Sequence, residues 1–236
     1  TNYNNERVVV DGTTPITSNW TQVGSSNIWR TKLSADIWQL FLNWEEQVMA
    51  RWPNAKFSDD TIWDNDNYWA KGTIDDDENA YTNGTIIDDP YTNLAGTTID
   101  LNATGFDLDE TNKQAIAILN LGSFRTWSRL VTSHTGNTFN YATVPNWKTK
   151  HHYYYLEGRK EFLDQAGEWW YDTYNNADSL YYYAANGVNP NRLDFRGKVQ
   201  SYGFSITGSQ YVQIKNLEFF ATTVYFSNGD NCLVYG

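Results

Sequence analysis

Residues 153–186 read YYYLEGRKEFLDQAGEWWYDTYNNADSLYYYAAN, and the reading of this stretch decides the fold class. Two aromatic-rich runs, 167–172 (GEWWYD) and 180–183 (LYYY), flank a polar segment, 173–179. Aromatic side chains suit a pleated, half-buried surface, and an Asn/Asp/Ser cluster supplies turn chemistry. The stretch therefore predicts a β-hairpin with a long polar tip.

Working outward, the chain keeps the same character. Its 236 residues can bury a large core, and all-β domains of this size can be single units. Short apolar runs alternate with Asn, Thr, Asp and Gly, and 17% of residues are aromatic, more than a core alone requires. Residues 114–121 (QAIAILNL) and 126–132 (TWSRLVT) are strand-like, and Gly136-Asn137 marks a turn before Thr138-Phe139-Asn140-Tyr141. Asn19-Trp20-Thr21 and Asn27-Ile28-Trp29 predict another hairpin. Together these segments predict an antiparallel sandwich or sheet.

The segment 34–54 reads two ways. Ile37, Leu40, Phe41, Trp44 and Val48 recur at amphipathic helical spacing, with Ser34 as a cap and Pro53 as a stop. Against that, Trp38-Gln39-Leu40-Phe41 followed by Ala50-Arg51-Trp52-Pro53-Asn54 has the shape of a hairpin, which we favour.

Leu163-Asp164-Gln165-Ala166-Gly167-Glu168-Trp169, then Asp172 and Leu180-Tyr181, resembles a segment of the right-handed parallel β-helix (pectate-lyase-like) family of polysaccharide-active proteins. The 38–54 segment resembles a hairpin of the same family. This chain departs from the family where it has Ala166, usually Pro, and where it lacks Gly near Asn43-Trp44. Arg7-Val8-Val9-Val10 before Asp11-Gly12 is similar to an early coil of such a solenoid. In the last forty residues short strands recur, and Val212 and Leu233 stand 21 residues apart, close to one coil.

The expected fold is all-β: the start of a right-handed parallel β-helix, residues 1–12 and 193–236, with an inserted antiparallel β-sandwich, 13–192. Val212-Gln213-Ile214 and Cys232-Leu233-Val234 should then be stacked parallel strands with Cys232 buried. A coil cannot bury its faces alone. The chain is therefore expected to be a fragment, with the rest of the polypeptide or another chain covering the open end.

Net charge is −11 and the sequence pI about 4.6, which argues against nucleic acid and against an anionic membrane surface as partners. A single cysteine, Cys232, excludes an intramolecular disulfide. The resemblance implies a polysaccharide partner and a secreted or cell-surface location. It implies the N-terminal part of a glycan-degrading enzyme, a glycoside hydrolase before a lyase. The alternative is a non-catalytic glycan-binding or adhesion segment of a large extracellular protein. In the family the catalytic groups lie on later coils, so no catalytic residue is assigned here.

Trp and Tyr offer flat apolar faces with polar edges, suited to sugar rings. Trp63, Trp69 and Trp147 sit among polar residues and are the candidate substrate-binding positions, whereas Trp20, Trp29 and Trp169 are expected in the core. Asp64, Asp66, Asp75, Asp76, Asp77, Glu78, Asp88 and Asp89 offer oxygens of the kind Ca²⁺ takes, but acidic runs are ordinarily solvated faces and no metal is assigned. For His134, His151 and His152 a structural or surface role outweighs general-base chemistry, and no zinc spacing, phosphate loop or dinucleotide fingerprint occurs.

Overall fold

The computed structural model describes residues 6–72, 83–87, 101, 115–122, 124–145, 149–172 and 179–236. It is all-β, and most strand pairs are antiparallel. Among the described residues no helix is long and apolar enough to cross a membrane. The chain forms two compact units, one of residues 20–32 and 47–190, the other of 1–19, 33–46 and 191–236.

The larger unit contains the predicted hairpin. Strands Glu168–Asp172 and Ser179–Tyr183 are antiparallel, with Trp169 opposite Tyr182 and Trp170 opposite Tyr181; the tip, 173–178, lies outside the described residues. Both faces of this ribbon are covered: Trp169, Trp170, Leu180, Tyr181 and Tyr182 are all buried. That explains why the run shows no polar alternation. The indole N–H groups find carbonyl partners, Trp169 Nε1 on Gln47 O at 3.0 Å and Trp170 Nε1 on Gly158 O at 3.2 Å.

Ile28–Lys32 pairs antiparallel with Ser179–Tyr183 and with Thr21–Gln22, which is the second predicted hairpin. A second sheet runs Thr85–Ile87, Thr138–Tyr141, Thr126–Thr135, Ile116–Asn120, Tyr153–Glu157, with Arg51–Trp52 and Ala70–Lys71 both on the last strand. Ala117, Leu119, Tyr154 and Leu156 from this sheet share one core with Trp170 and Tyr181 from the other. Trp20 is buried as expected, whereas Trp29 is half-buried.

In the smaller unit Phe195–Lys198 pairs antiparallel with Thr13–Pro15 and Leu40–Leu42, so the first strand of the 193–236 segment is not part of the expected parallel coils. Three other pairs of the unit are parallel. Val9–Asp11 is parallel to Glu218–Phe220, Tyr202–Thr207 to Thr223–Ser227, and Gln213–Lys215 to Leu233–Tyr235. The expected parallel pairing is present, in a register that sets Gln213 against Leu233 and Ile214 against Val234, 20 residues apart. Backbone conformation repeats at that interval: left-handed φ occurs at Gly208 and Asn228, at Tyr211 and Asn231, and at Asn216 and Gly236. These are the corners between strands, and Gly and Asn adopt the left-handed region at least cost.

Cys232 corrects one expectation, being half-buried rather than buried, with Sγ 3.5 Å from Ser209 O. Ile214 is buried, but Leu217 and Phe219 are half-buried and Leu233, Val234 and Tyr235 are exposed. The reason is that Leu233–Tyr235 has a strand partner on one side only among the described residues.

The segment 34–54 is a hairpin. Leu40–Leu42 and Glu45–Met49 are neighbours in a sheet, and Asn43 (φ 50°) and Trp44 (φ 70°) make the turn between them. Two consecutive left-handed residues give the twist of a two-residue hairpin without glycine. A tryptophan held at positive φ is strained, and its compensation is visible: the Trp44 ring meets Phe220 at 4.9 Å and the Arg196 guanidinium at 4.6 Å.

Arg196 also donates to Asp11 Oδ2 at 2.5 Å and to Thr13 Oγ1 at 2.8 Å. Burial pushes the Asp11 carboxyl up, but the Thr13 hydroxyl and amide and the Arg196 charge outweigh it and hold it below the usual range. A depressed carboxylate stabilises above its unfolded pKa, about 3.9, and that contribution is lost as pH falls through the lower folded value. Asp11→Asn is therefore expected to flatten the acid limb of the stability curve below about pH 4, measured by urea melts at stepped pH.

Gly12 marks where the chain turns away from the parallel strands and where it returns. Its carbonyl accepts from the amides of Val199 and Gln200, both at 3.0 Å, and its amide donates to Phe220 O at 2.9 Å. A Cβ here would stand 2.7 Å from Ala221 O and 2.7 Å from Thr222 Cβ. Gly12→Ala should cost about 1–3 kcal/mol in a denaturant melt, because backbone must move to admit it.

Candidate functional site

Among the described residues Trp63, 71% exposed, is one of the most open aromatic side chains, together with Phe124 and Tyr211. It sits on the 3₁₀ turn Thr61–Trp63, which leads into the helical turn Asn65–Tyr68. Thr61 organises the approach: its hydroxyl accepts from Lys56 N at 2.8 Å and donates to Asp59 Oδ1 at 2.6 Å. Trp63 N donates to Asp60 O at 3.1 Å, and the Phe57 ring lies 6.0 Å away, inclined at 63°.

Asp64, the next residue, is fixed by hydrogen bonds. Its Oδ1 accepts from Asp66 N and Asn67 N, both at 3.1 Å, and its Oδ2 from Asn67 Nδ2 at 2.8 Å. This is an N-cap, and the Asn67 side chain first, then the Asn67 and Asp66 amides, hold the Asp64 carboxyl below its ordinary range against the burial contribution. The loop thus presents an indole on a backbone already ordered, which lowers the entropic cost of stacking a ligand on it.

Trp69, at the end of the same loop, turns the other way. It is half-buried and packs edge-on against Tyr155 at 4.9 Å, and the opposite partner of Tyr155 is Arg51, whose guanidinium carbon lies 3.7 Å from that ring centroid. Trp147 lies outside the described residues, as do Asp75, Asp76, Asp77, Glu78, Asp88 and Asp89.

A second feature escaped the sequence because three segments build it. Thr21, Gln22, Val23, Gly24, Arg30, Lys160 and Tyr181 line a recess of about 330 Å³. Lys160 Nζ lies 4.5 Å from the Tyr181 ring centroid, and Arg30 is exposed beside it. In a chain of net charge −11 this is a local concentration of positive charge, suited to a carboxylate or sulfate group.

The ionisable groups of the interior are structural. Arg51, 2% exposed, donates to Pro53 O at 2.9 Å and Tyr68 O at 3.0 Å. Burial pushes Glu157 up, and it pushes Glu168 up to about 7 even though the amides of Gln165 and Asp164 favour its charged form. Glu168 is fully enclosed, so it cannot meet a polymer substrate as a catalytic acid. His151 bonds Asn120 Oδ1 through Nε2 at 3.0 Å and stacks on Tyr153, and His134 Nδ1 accepts from Leu101 N at 3.2 Å.

No protein-family model matches the chain, and no curated protein matches it in sequence. Among solved structures, one described as "Glycoside hydrolase" is similar, with a TM-score of 0.62 and 17% identity. The match covers 91% of this chain and 36% of that one, so the chain spans little more than a third of its structural relative. At this identity the likeness concerns the fold.

Proposed function

We propose that this chain is the N-terminal part of a secreted or cell-surface, carbohydrate-active β-helix protein, a glycoside hydrolase before a lyase. The observation that carries the reading is the likeness over 91% of the chain to a solved glycoside hydrolase. In this reading the parallel strands of 1–12 and 193–236 open a right-handed solenoid, and 13–192 is a β-sandwich inserted in sequence after Gly12. The three parallel pairs and the 20-residue repeat of left-handed corners support the solenoid. Its further coils would come from the rest of the polypeptide or from another chain.

The part played by these residues is to bind polysaccharide. Trp63 supplies the stacking face, with Trp69 and Trp147 as the further aromatic positions. Catalysis belongs to residues beyond this chain, so the isolated chain is expected to retain polysaccharide without releasing reducing sugar or unsaturated product. Affinity electrophoresis against a panel of neutral and acidic polysaccharides tests this. Trp63→Ala should weaken retention about 2- to 13-fold, the loss expected for one aromatic stacking contact of about 0.5–1.5 kcal/mol. Absence of retention on every polysaccharide, or equal retention by Trp63→Ala, would contradict the reading.

The Arg30–Lys160 recess favours acidic glycans over neutral ones within this class. The Arg30→Ala/Lys160→Ala double variant is expected to lose retention on uronate- or sulfate-bearing polymers and to keep it on neutral ones, with the difference fading at high salt. An adhesion segment remains the second reading; the chain's own lack of turnover is common to both, and turnover by the full-length polypeptide separates them.

A further inference from the structure

Trp44 holds a backbone conformation that its side chain does not favour. Asn43 and Trp44 form the turn between Leu40–Leu42 and Glu45–Met49 at φ 50° and 70°. Asn enters the left-handed region at low cost, whereas a bulky residue there is an outlier. Glycine would make the same turn without strain. Outliers of this kind concentrate where a side chain is held for use. Among the described residues Phe124 and Tyr211 are further aromatic residues at positive φ, and all three are exposed.

The Trp44 ring is also mounted. The Arg196 guanidinium lies 4.6 Å from its centroid, and the Phe220 ring lies 4.9 Å away. Neither partner depends on the indole for its place. Arg196 is fixed by Asp11 Oδ2 and Thr13 Oγ1, and Phe220 packs on Phe41 at 4.8 Å. The indole is therefore the group being positioned, yet Trp44 remains 50% exposed. Trp44, Asp11, Arg196 and Phe220 all belong to the smaller unit.

We propose that Trp44 is a second sugar-stacking platform, in the smaller unit, which takes the apolar face of a pyranose ring. The platform presupposes that the chain binds polysaccharide as proposed above. An indole offers a flat apolar face, and a ring already fixed loses little freedom when a ligand stacks on it. The Arg196 charge is paired with Asp11, so the platform recognises ring faces and not acid groups. It accepts neutral and acidic polymers alike, and its contribution persists in salt. The Arg30–Lys160 recess of the larger unit is opposite in both respects.

The test is affinity electrophoresis of the 236-residue chain in gels holding dextran, xylan or polygalacturonate, at low and at high salt. Trp44→Gly, which suits the left-handed turn, should weaken retention about 2- to 13-fold on every polymer that retains the parent, equally at both salt levels. Trp44→Tyr keeps a stacking ring and should stay within about twofold of the parent. In the chain labelled with 5-fluorotryptophan, the ¹⁹F resonance missing from Trp44→Gly should shift when oligosaccharides of a retaining polymer are added. A purely structural role for the ring would not move it. Parent-like retention by Trp44→Gly beside a loss in Trp63→Ala would overturn the platform and leave polysaccharide binding by the chain intact. An unmoved Trp44 resonance, or a loss confined to polygalacturonate at low salt, would overturn it in the same way. Failure of every polymer to retain the parent would remove both.

Discussion

Arg51→Ala should cost about 3–5 kcal/mol of stability, the range for removing one partner from a buried, charged, hydrogen-bonded group. The guanidinium is buried, and burial pulls its pKa down while Tyr155, Glu157 and Glu168 oppose that shift. Its removal would strip the carbonyls of Pro53 and Tyr68 of donors, uncover the Tyr155 ring and leave two enclosed carboxyls without their cation. Arg51→Lys should recover only part of the loss, since an ammonium cannot span two carbonyls and stack as a planar guanidinium does. Urea melts of the three proteins check this. A loss below about 1 kcal/mol for Arg51→Ala would show that the group is solvated.

Trp169→Ala has the second large expected effect, again about 3–5 kcal/mol. Its indole is 2% exposed, pairs across the hairpin with Tyr182 and along the parallel edge with Met49, and donates to Gln47 O. Trp169→Phe should lose much less, because the ring volume is largely kept and one hydrogen bond, about 1 kcal/mol, is given up. If the two substitutions cost the same in a denaturant melt, the hydrogen bond and not the packing would be the dominant contribution.

The central hairpin was legible because aromatic density and turn residues point the same way in 167–183. The hairpin at 40–49 was harder: its apolar spacing is helical, and the turn is made by Asn43 and Trp44, where composition offers no glycine. That turn is stable through Arg196 and Phe220, which are more than 150 residues away in sequence. Parallel pairing of Gln213–Lys215 with Leu233–Tyr235 was readable from spacing alone, but the burial of Cys232 was not, since burial depends on what lies over the strand. Of the two described candidate tryptophans, Trp63 is the one held out to solvent, while Trp69 faces Tyr155. Local polarity was the same for both, and only the direction of the capped loop separates them. The Arg30–Lys160 recess needed tertiary structure, because it draws on segments far apart in the chain.

The claim on which the rest stands is that the C-terminal strands stack in parallel coils. Spin labels at Ser205 and Tyr225, and in a second protein at Gln213 and Leu233, both on a Cys232→Ala background, test it directly. These residues are register partners on neighbouring strands and face outward. Adjacent strands lie about 4.8 Å apart, so both pairs should show strong dipolar broadening of the continuous-wave EPR spectrum. A meander would instead fold 223–227 back on 233–235 through Asn228-Gly229-Asp230. Broadening between labels at 225 and 233, with none in the 205–225 and 213–233 pairs, would contradict the account.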